Sequence, residues 1–234
     1  MTDYGEGWTR WGDMIRYSPA PFHRRRLILA LAREVDFASA MDVGCGNATL
    51  LLALRRLRPA ATLVGLDIAD SVIADDSAAY PDITFRQLDI GASSLPTRCD
   101  LVVCSEVLEH VPDWRQALRH LRRMCGAHLI LTVPTGRVFP IDRLMGHERH
   151  FTLEVLSAAL REAGFEPERA WRWGFPFHTL YKRLINLSPE ASVRRFSSGS
   201  YGPGERAVST LLTWLFYLNS RRVGAQLVLR ARAA

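Results

Sequence analysis

Apolar and polar positions follow two rhythms along this chain. Short apolar or β-branched runs at Ala40 to Val43, Thr62 to Asp67, Ile83 to Asp89, Leu101 to Cys104 and His128 to Val133 predict strands buried on both faces. Between and after them, Leu50 to Leu57, Val72 to Tyr80, Trp114 to Met124 and Leu153 to Ala163 carry helical spacing. Strand and helix by turns predict an α/β fold: a Rossmann-like, mostly parallel sheet with helices on both faces. Phe22 to Val35 predicts a helix leading into it from the Pro-rich SPAP. Phe165 to Trp173 reads as a sixth strand, and Val223 to Ala231 alternates as a closing one. Phe175 to Asn219, rich in aromatic residues and arginine and broken by SPE and SSGSYGPGE turns, reads as a helical insertion placed to cap a site. The predicted organisation is a leading lid helix over 1–36, a core domain over 37–174 and 222–234, and the cap over 175–221.

Composition narrows the class. With 234 residues, 48% hydrophobic and 23% charged, the chain can bury one core, which excludes disordered, collagen-like and disulfide-scaffold readings. Cys45, Cys99, Cys104 and Cys125 form no CxxC pair, and three fall in or beside apolar runs, so reduced thiols are expected. The start, MTDYGEGWTRWGDM, has acids and tryptophans where a secretory signal needs a basic and then an apolar stretch, so a cytoplasmic protein is expected. Ala207 to Leu218 is the longest apolar stretch and is shorter than the roughly 20 residues of a helical span. The net charge of +6 is concentrated at the end: from Lys182 onward nine Lys or Arg face only Glu190 and Glu205. All but one of the 30 basic residues are arginine, a coding bias more than a designed surface, so nucleic acid is not a predicted partner.

The chemistry sits at strand ends. Asp42-Val43-Gly44-Cys45-Gly46 closes the first strand, and its glycines permit a tight turn and close approach of backbone to a ligand. Thr49 stands where a dinucleotide fingerprint would place its third glycine, so a pyrophosphate is not required. Asp67, with Ile68 after it, closes the second strand about 20 residues on, where a carboxylate can take both ribose hydroxyls. Asp89 closes the third, where it can accept from an adenine amino group while the Ile90 N–H donates to the ring. Together these describe an adenosine site without a phosphate clamp.

With these residues the chain resembles the class I S-adenosylmethionine-dependent methyltransferases. DVGCGNATL, GLDIADS and QLDI look like the family's first three motifs, and DLVVCSEVLEHVPDWRQALRHLRRM followed by LILTVP looks like the fourth with its helix and strand. The resemblance implies a seven-stranded sheet with an antiparallel last strand. It places Asp42, Gly44 and Gly46 around the methionine part of S-adenosylmethionine, Asp67 at the ribose, Asp89 and Ile90 at the adenine, and Ser105 and Glu106 beside the methyl. Arg24 or Arg26 of FHRRR is a candidate partner for the methionine carboxylate.

Methyl transfer needs an aligned acceptor and, for an oxygen acceptor, help in losing a proton. Glu106, Glu109 and His110 at i, i+3 and i+4 predict one helical face at the methyl end, and GHERHFT offers His147 and His150 after the fifth strand. The Glu-x-x-Glu-His segment plus a later histidine resembles the divalent-metal site of small-RNA 3′-end 2′-O-methyltransferases and, more loosely, ubiquinone-pathway O-methyltransferases. That resemblance implies Mg, Mn, Fe or Zn on Glu106, Glu109, His110 and His147, chelating a catechol or vicinal diol. Without a metal, His147 or His150, with His110 near the acceptor, is the candidate general base. The resulting expectation is O-methylation of a small aromatic or polyol molecule, as in specialised (antibiotic-type) biosynthesis. RNA 2′-O-methylation and a non-catalytic cofactor-binding scaffold are the alternatives. Aromatics in or just before the cap, such as Trp171, Phe177 and Tyr181, suit an apolar acceptor but equally a core or a homodimer contact, and the basic, apolar C-terminal segment also suits an anionic membrane surface.

Overall fold

The structure, a computed structural model, describes residues 16–196 and 200–234. The start of the chain, with its acids and tryptophans, and part of the SSGSYGPGE turn lie outside the described residues. Seven strands form one sheet in the order β3-β2-β1-β4-β5-β7-β6. They are β1 (Ser39–Val43), β2 (Thr62–Asp67), β3 (Thr84–Gln87), β4 (Cys99–Ser105), β5 (Cys125–Pro134), β6 (Phe165–Trp173) and β7 (Gln226–Ala233). Neighbours among β1 to β5 pair in parallel, whereas β7 runs antiparallel to both β5 and β6, as the resemblance implied.

The helices α1 (Pro19–Ala32), α2 (Thr49–Leu57), α3 (Asp70–Ala79), α4 (Trp114–Met124), α5 (Pro140–Leu144) and α6 (Leu153–Glu162) lead into or connect these strands. Three more, α7 (Phe177–Ile185), α8 (Pro189–Phe196) and α9 (Pro203–Phe216), lie between β6 and β7. Local chemistry sets their starts: the Asp113 carboxylate accepts from the Gln116 N–H, and the Thr152 hydroxyl from the Val155 N–H.

Both faces of the sheet are buried, which is why its central strands read as continuous apolar runs. In β4, Leu101 and Val103 join a core with Leu27 and Leu31 of α1 and Leu51 and Leu54 of α2. Val102 and Cys104 face the other way, toward Leu118 and Leu121 of α4 and Leu156 and Leu160 of α6. All four cysteines are buried and free.

Boundaries differ from the sequence pattern where pairing overrides local composition. β3 is an edge strand limited to its register from Val64↔Thr84 to Asp67↔Gln87. β7 begins at Gln226 and extends to Ala233, because it is hydrogen-bonded on both sides by the longer β5 and β6. β1 passes to β2 on one side and neighbours β4 on the other, so the connections leave in opposite directions. Their divergence opens a crevice at the carboxyl ends of the strands, the usual ligand position in such sheets.

The leading helix and the segment between β6 and β7 meet in an aromatic cluster. His23 of α1 stacks on Trp173 at 5.5 Å, His178 stacks on the same ring at 4.9 Å, and Phe216 fits against all three. The His23 Nε2–H donates to the Thr213 carbonyl at 2.9 Å, tying α1 to α9. Burial lowers the His23 imidazole to about 4, with the Thr213 bond opposing and the Arg26 charge assisting. Burial, aided by the Arg24 and Lys182 charges, lowers His178 to about 3.

These histidines fold neutral, while an unfolded chain would protonate them near the ordinary 6.5. Between about pH 6.5 and about pH 4 the unfolded state binds the extra protons, so stability falls as pH drops through that window. Thermal melts should show a midpoint declining steadily from pH 7 to pH 5, with a shallower decline in His23→Phe. An unchanged slope in the variant would remove His23 from the cause.

Candidate active site

A cavity of about 1090 Å³ occupies the crevice. At one end the glycine loop leaves β1, with Gly44 at φ +77°. A Cβ on Gly44 would fall 2.4 Å from Val107 Cγ2, so close packing as well as backbone conformation demands glycine. The Gly44 and Cys45 N–H groups both donate to the Leu66 carbonyl, at 2.7 and 2.9 Å, which fastens the loop to the end of β2. Asp67 extends that connection: its carboxylate accepts from the Gly46 N–H and from the Ala69 N–H, each at 3.0 Å.

Asp42, Gly44, Asp67, Ile68, Asp89 and Ile90 line this end of the cavity. Gly46 does not; its N–H is turned to Asp67, so its contribution is to fix that carboxylate. A carboxylate has about four acceptor positions, leaving Asp67 capacity for a diol. Burial, reinforced by the Asp67 charge, raises Asp42 well above the ordinary carboxylate range, which favours a neutral carboxyl able to donate. Asp89 is exposed on the rim and accepts from the Gly91 N–H at 2.8 Å, while Ile90 is buried below it.

At the other end the structure corrects one sequence expectation. Glu106, Glu109 and His110 do not share a helical face: Glu106 has φ +58°, and only Leu108–His110 form a short 3-10 turn. The cause is tertiary. The Glu106 N–H donates to the Thr132 carbonyl at 3.0 Å. Its carboxylate accepts from Thr132 Oγ1 at 2.9 Å and Gln226 Nε2 at 2.6 Å, and Arg24 Nη1 lies 3.4 Å away. Ser105 Oγ joins the same group through Thr132 Oγ1 at 2.8 Å. Burial alone would raise the Glu106 carboxyl, but Arg24, His147 and the two side-chain donors outweigh it and hold the group below its ordinary range.

Glu109, released from that face, is fully buried, and neither of its oxygens has a hydrogen-bond partner among the described residues. Burial and the Glu106 charge raise it well above the ordinary range, which favours its protonated form. Its carbonyl accepts from the Glu148 N–H at 3.0 Å, which draws the GHERHFT loop onto the turn. There the His110 and His147 rings meet edge to face at 4.8 Å, and His110 Nδ1 lies 3.1 Å from the Gly146 carbonyl.

Three of the four predicted metal-ligating residues therefore come together: ligand atoms of Glu109, His110 and His147 lie within 4.8 Å of one another. Glu106 is engaged elsewhere. A second group, Asp142, His147 and His150, shares His147 at the same separation. His150 is not a lining residue; its Nε2 is 3.4 Å from Asp142 Oδ2 and 3.3 Å from His147 Nδ1. Asp142 is also held by Lys182 Nζ at 3.1 Å. Burial, with the neighbouring His110, lowers His147 to about 4, and burial lowers His110 and His150 as well. At neutral pH the three imidazoles are neutral, the form that accepts a proton or ligates a cation. The unpartnered Glu109 carboxyl and these rings form a donor set compatible with a divalent ion.

Arg24 reaches the cavity as expected, but Arg26 does not; it lies over the Tyr217 ring at 4.6 Å. Arg25 and Lys182 line the cavity and were not anticipated. Helical phase offered a signal for both. Pro21, Arg24, Arg25 and Ile28 recur at i, i+3, i+4 and i+7 on α1, as do His178, Tyr181, Lys182 and Ile185 on α7. Arg25 makes no ion pair with a described residue, and burial together with Arg24 lowers its pKa. An unpaired, partly desolvated guanidinium facing a cavity is suited to a carboxylate.

A family model described as a methyltransferase domain matches residues 20–170. Trans-aconitate 2-methyltransferase of Escherichia coli O7:K1 is 30% identical over 183 residues, covering 77% of this chain and 67% of that protein. Ubiquinone biosynthesis O-methyltransferase of Pseudomonas entomophila is 32% identical over 124 residues, covering 50% of this chain and 49% of its own. The chain's matches thus span from about half to two thirds of these relatives. The solved structure of the N-methyltransferase NodS from Bradyrhizobium japonicum, in complex with S-adenosyl-L-homocysteine, has the same fold, with a TM-score of 0.59 at 16% identity over 94% of this chain and 90% of its own. The chain belongs to the class I S-adenosylmethionine-dependent methyltransferases.

Removing the carboxylate in Asp67→Ala should weaken binding of S-adenosylhomocysteine by about 1–3 kcal/mol in titration calorimetry. Asp89→Ala, at the exposed rim, should cost less. Unchanged affinity in Asp67→Ala would contradict a ribose position at the end of β2.

Proposed function

We propose that the protein transfers the methyl group of S-adenosylmethionine to an oxygen, foremost a hydroxyl, of a small-molecule acceptor of specialised metabolism. The observation that carries this reading is the polarity of the cavity: nucleoside-accepting carboxyls at the ends of β1 to β3, and Glu106, His110 and His147 at the other end. Bound there, S-adenosylmethionine supplies an electrophilic methyl on its sulfonium. Asp67 and Asp89 orient the nucleoside, and Arg25, with Arg24 beside it, holds the methionine carboxylate. The ionised Glu106 faces the region of positive charge and is kept from moving by Thr132, Gln226 and Arg24. His147, neutral at working pH, takes the hydroxyl proton as the acceptor oxygen attacks, and its own Nδ1 is oriented by His150. Cap residues Tyr181 and Phe196 close the apolar wall against which an aromatic or polyol acceptor lies. Names among the relatives, trans-aconitate and ubiquinone biosynthesis, support a small acceptor and place acids as well as phenols in the test panel.

The Glu109, His110 and His147 cluster favours a second form of the same reading, in which a divalent ion held by these residues lowers the hydroxyl pKa. The two forms differ at Glu109. A ligand must be ionised, whereas a protonated buried carboxyl is mimicked by an amide.

Label transfer from S-adenosylmethionine should appear with at least one catechol, phenol, polyol or small carboxylic acid. With that acceptor, His147→Ala should lower kcat by about 10²–10⁴-fold without weakening S-adenosylhomocysteine binding. In Glu109→Gln, near-normal turnover that is insensitive to chelator establishes the proton-acceptor form, and loss of turnover with stoichiometric metal in the parent protein establishes the metal form. Full activity of His147→Ala would overturn both.

A further inference from the structure

Among the described residues, the large apolar side chains most open to solvent are concentrated between β6 and β7. Leu187 is 79% exposed, and Trp214 and Leu218 are each 69% exposed. On α9, Val208, Leu211 and Trp214 fall within one stripe at helical spacing, which Leu218 continues in the turn after the helix, while Ser209 and Phe216 point inward. On α7 the cavity takes His178, Tyr181, Lys182 and Ile185, yet the outward positions Leu180 and Leu184 are also apolar, and Leu187 continues them. Both helices meet through Phe216 against Tyr181 and His178, so the two outward faces belong to one cap.

The charges that follow the α9 stripe along the chain are of one sign. Exposed Arg221 and Arg222 come after its end, and no acidic residue occurs between Glu205 and the end of the chain, while Arg206 near its start stacks on the Tyr17 ring at 4.9 Å. Glu205 itself is engaged by Arg195 and the Gly202 N–H. From Val208 to Leu218 the stripe is roughly 15 Å long, and no described helix is long and apolar enough to cross a membrane. A helix with an exposed Trp and Leu stripe flanked by arginines is suited to lie in the plane of a lipid interface, its guanidinium groups at the phosphates. A second copy of this chain fits less well, because two-fold pairing of the stripe with the helices parallel would bring Arg221 and Arg222 of the two copies together, like charge on like.

We infer that this outer face of the cap docks on an anionic lipid surface, with Leu211, Trp214 and Leu218 entering the interface and Arg221 and Arg222 meeting lipid phosphates. This site is separate from the cavity and does not depend on which acceptor is methylated. The test is flotation of the full chain with phosphatidylcholine vesicles, with and without phosphatidylglycerol. Binding is expected only with phosphatidylglycerol and should weaken as salt rises. Trp214→Glu and Leu211→Glu should each reduce it at least about tenfold, and Arg221→Glu with Arg222→Glu should reduce it further, all with unchanged melting and S-adenosylhomocysteine affinity. Equal binding to phosphatidylcholine alone, no binding to either vesicle, or binding indifferent to these substitutions would overturn the inference. A dimer in light scattering that Trp214→Glu dissociates would also overturn it, assigning the face to a second copy.

Discussion

A half-buried, ionised carboxylate at the end of β4 organises the working half of this molecule. Glu106 is tolerable there only because Thr132 from β5, Gln226 from β7 and Arg24 from α1 converge on it. Positions distant in sequence are thereby held to one point: the leading helix to the cavity wall, and the antiparallel last strand to the central sheet. The left-handed backbone at Glu106 is part of the same arrangement, since it directs the carboxylate back toward β5 and β7 and leaves Leu108–His110 to turn inward.

From this follows the contrast between two nearby carboxyls. Side-chain donors and the adjacent Arg24 hold the Glu106 carboxyl low; the Glu109 oxygens have no hydrogen-bond partner among the described residues, and burial with the Glu106 charge raises that carboxyl against the weaker pull of Arg24 and Lys182. Environment alone thus shifts two acids three residues apart in opposite directions. The neutral imidazoles of His110 and His147 lie beside them. An end of the cavity that combines fixed negative charge with neutral proton acceptors suits a reaction in which positive charge arrives with the methyl and a proton must leave the acceptor. The carboxyls at the other end suit a nucleoside.

The sheet was legible in the sequence because each strand end carries its own signal: apolar runs for strands buried on both sides, glycines where the loop must pass Val107, and an acid where each early strand stops. Local periodicity at Trp114 to Met124 and the extent of Phe165 to Trp173 coincide with the observed elements. Misreadings occur where distant partners decide. SEVLEH has helical spacing, but Thr132 and Gln226 draw Glu106 out of helical phase. Arg26 looked equivalent to Arg24, although it lies one residue past the pair facing the cavity and packs on Tyr217. Lys182 drew attention as the chain's single lysine, yet its approach to Asp142 depends on where α7 settles over the crevice.

A crystal structure of the protein with S-adenosylhomocysteine tests the polarity of the cavity most directly. The ribose hydroxyls should lie on Asp67, the adenine between Ile68 and Ile90 near Asp89, the carboxylate at Arg25, and the sulfur toward Glu106 and His147. A nucleoside bound at the histidine end, or one seated away from Asp67, would contradict it.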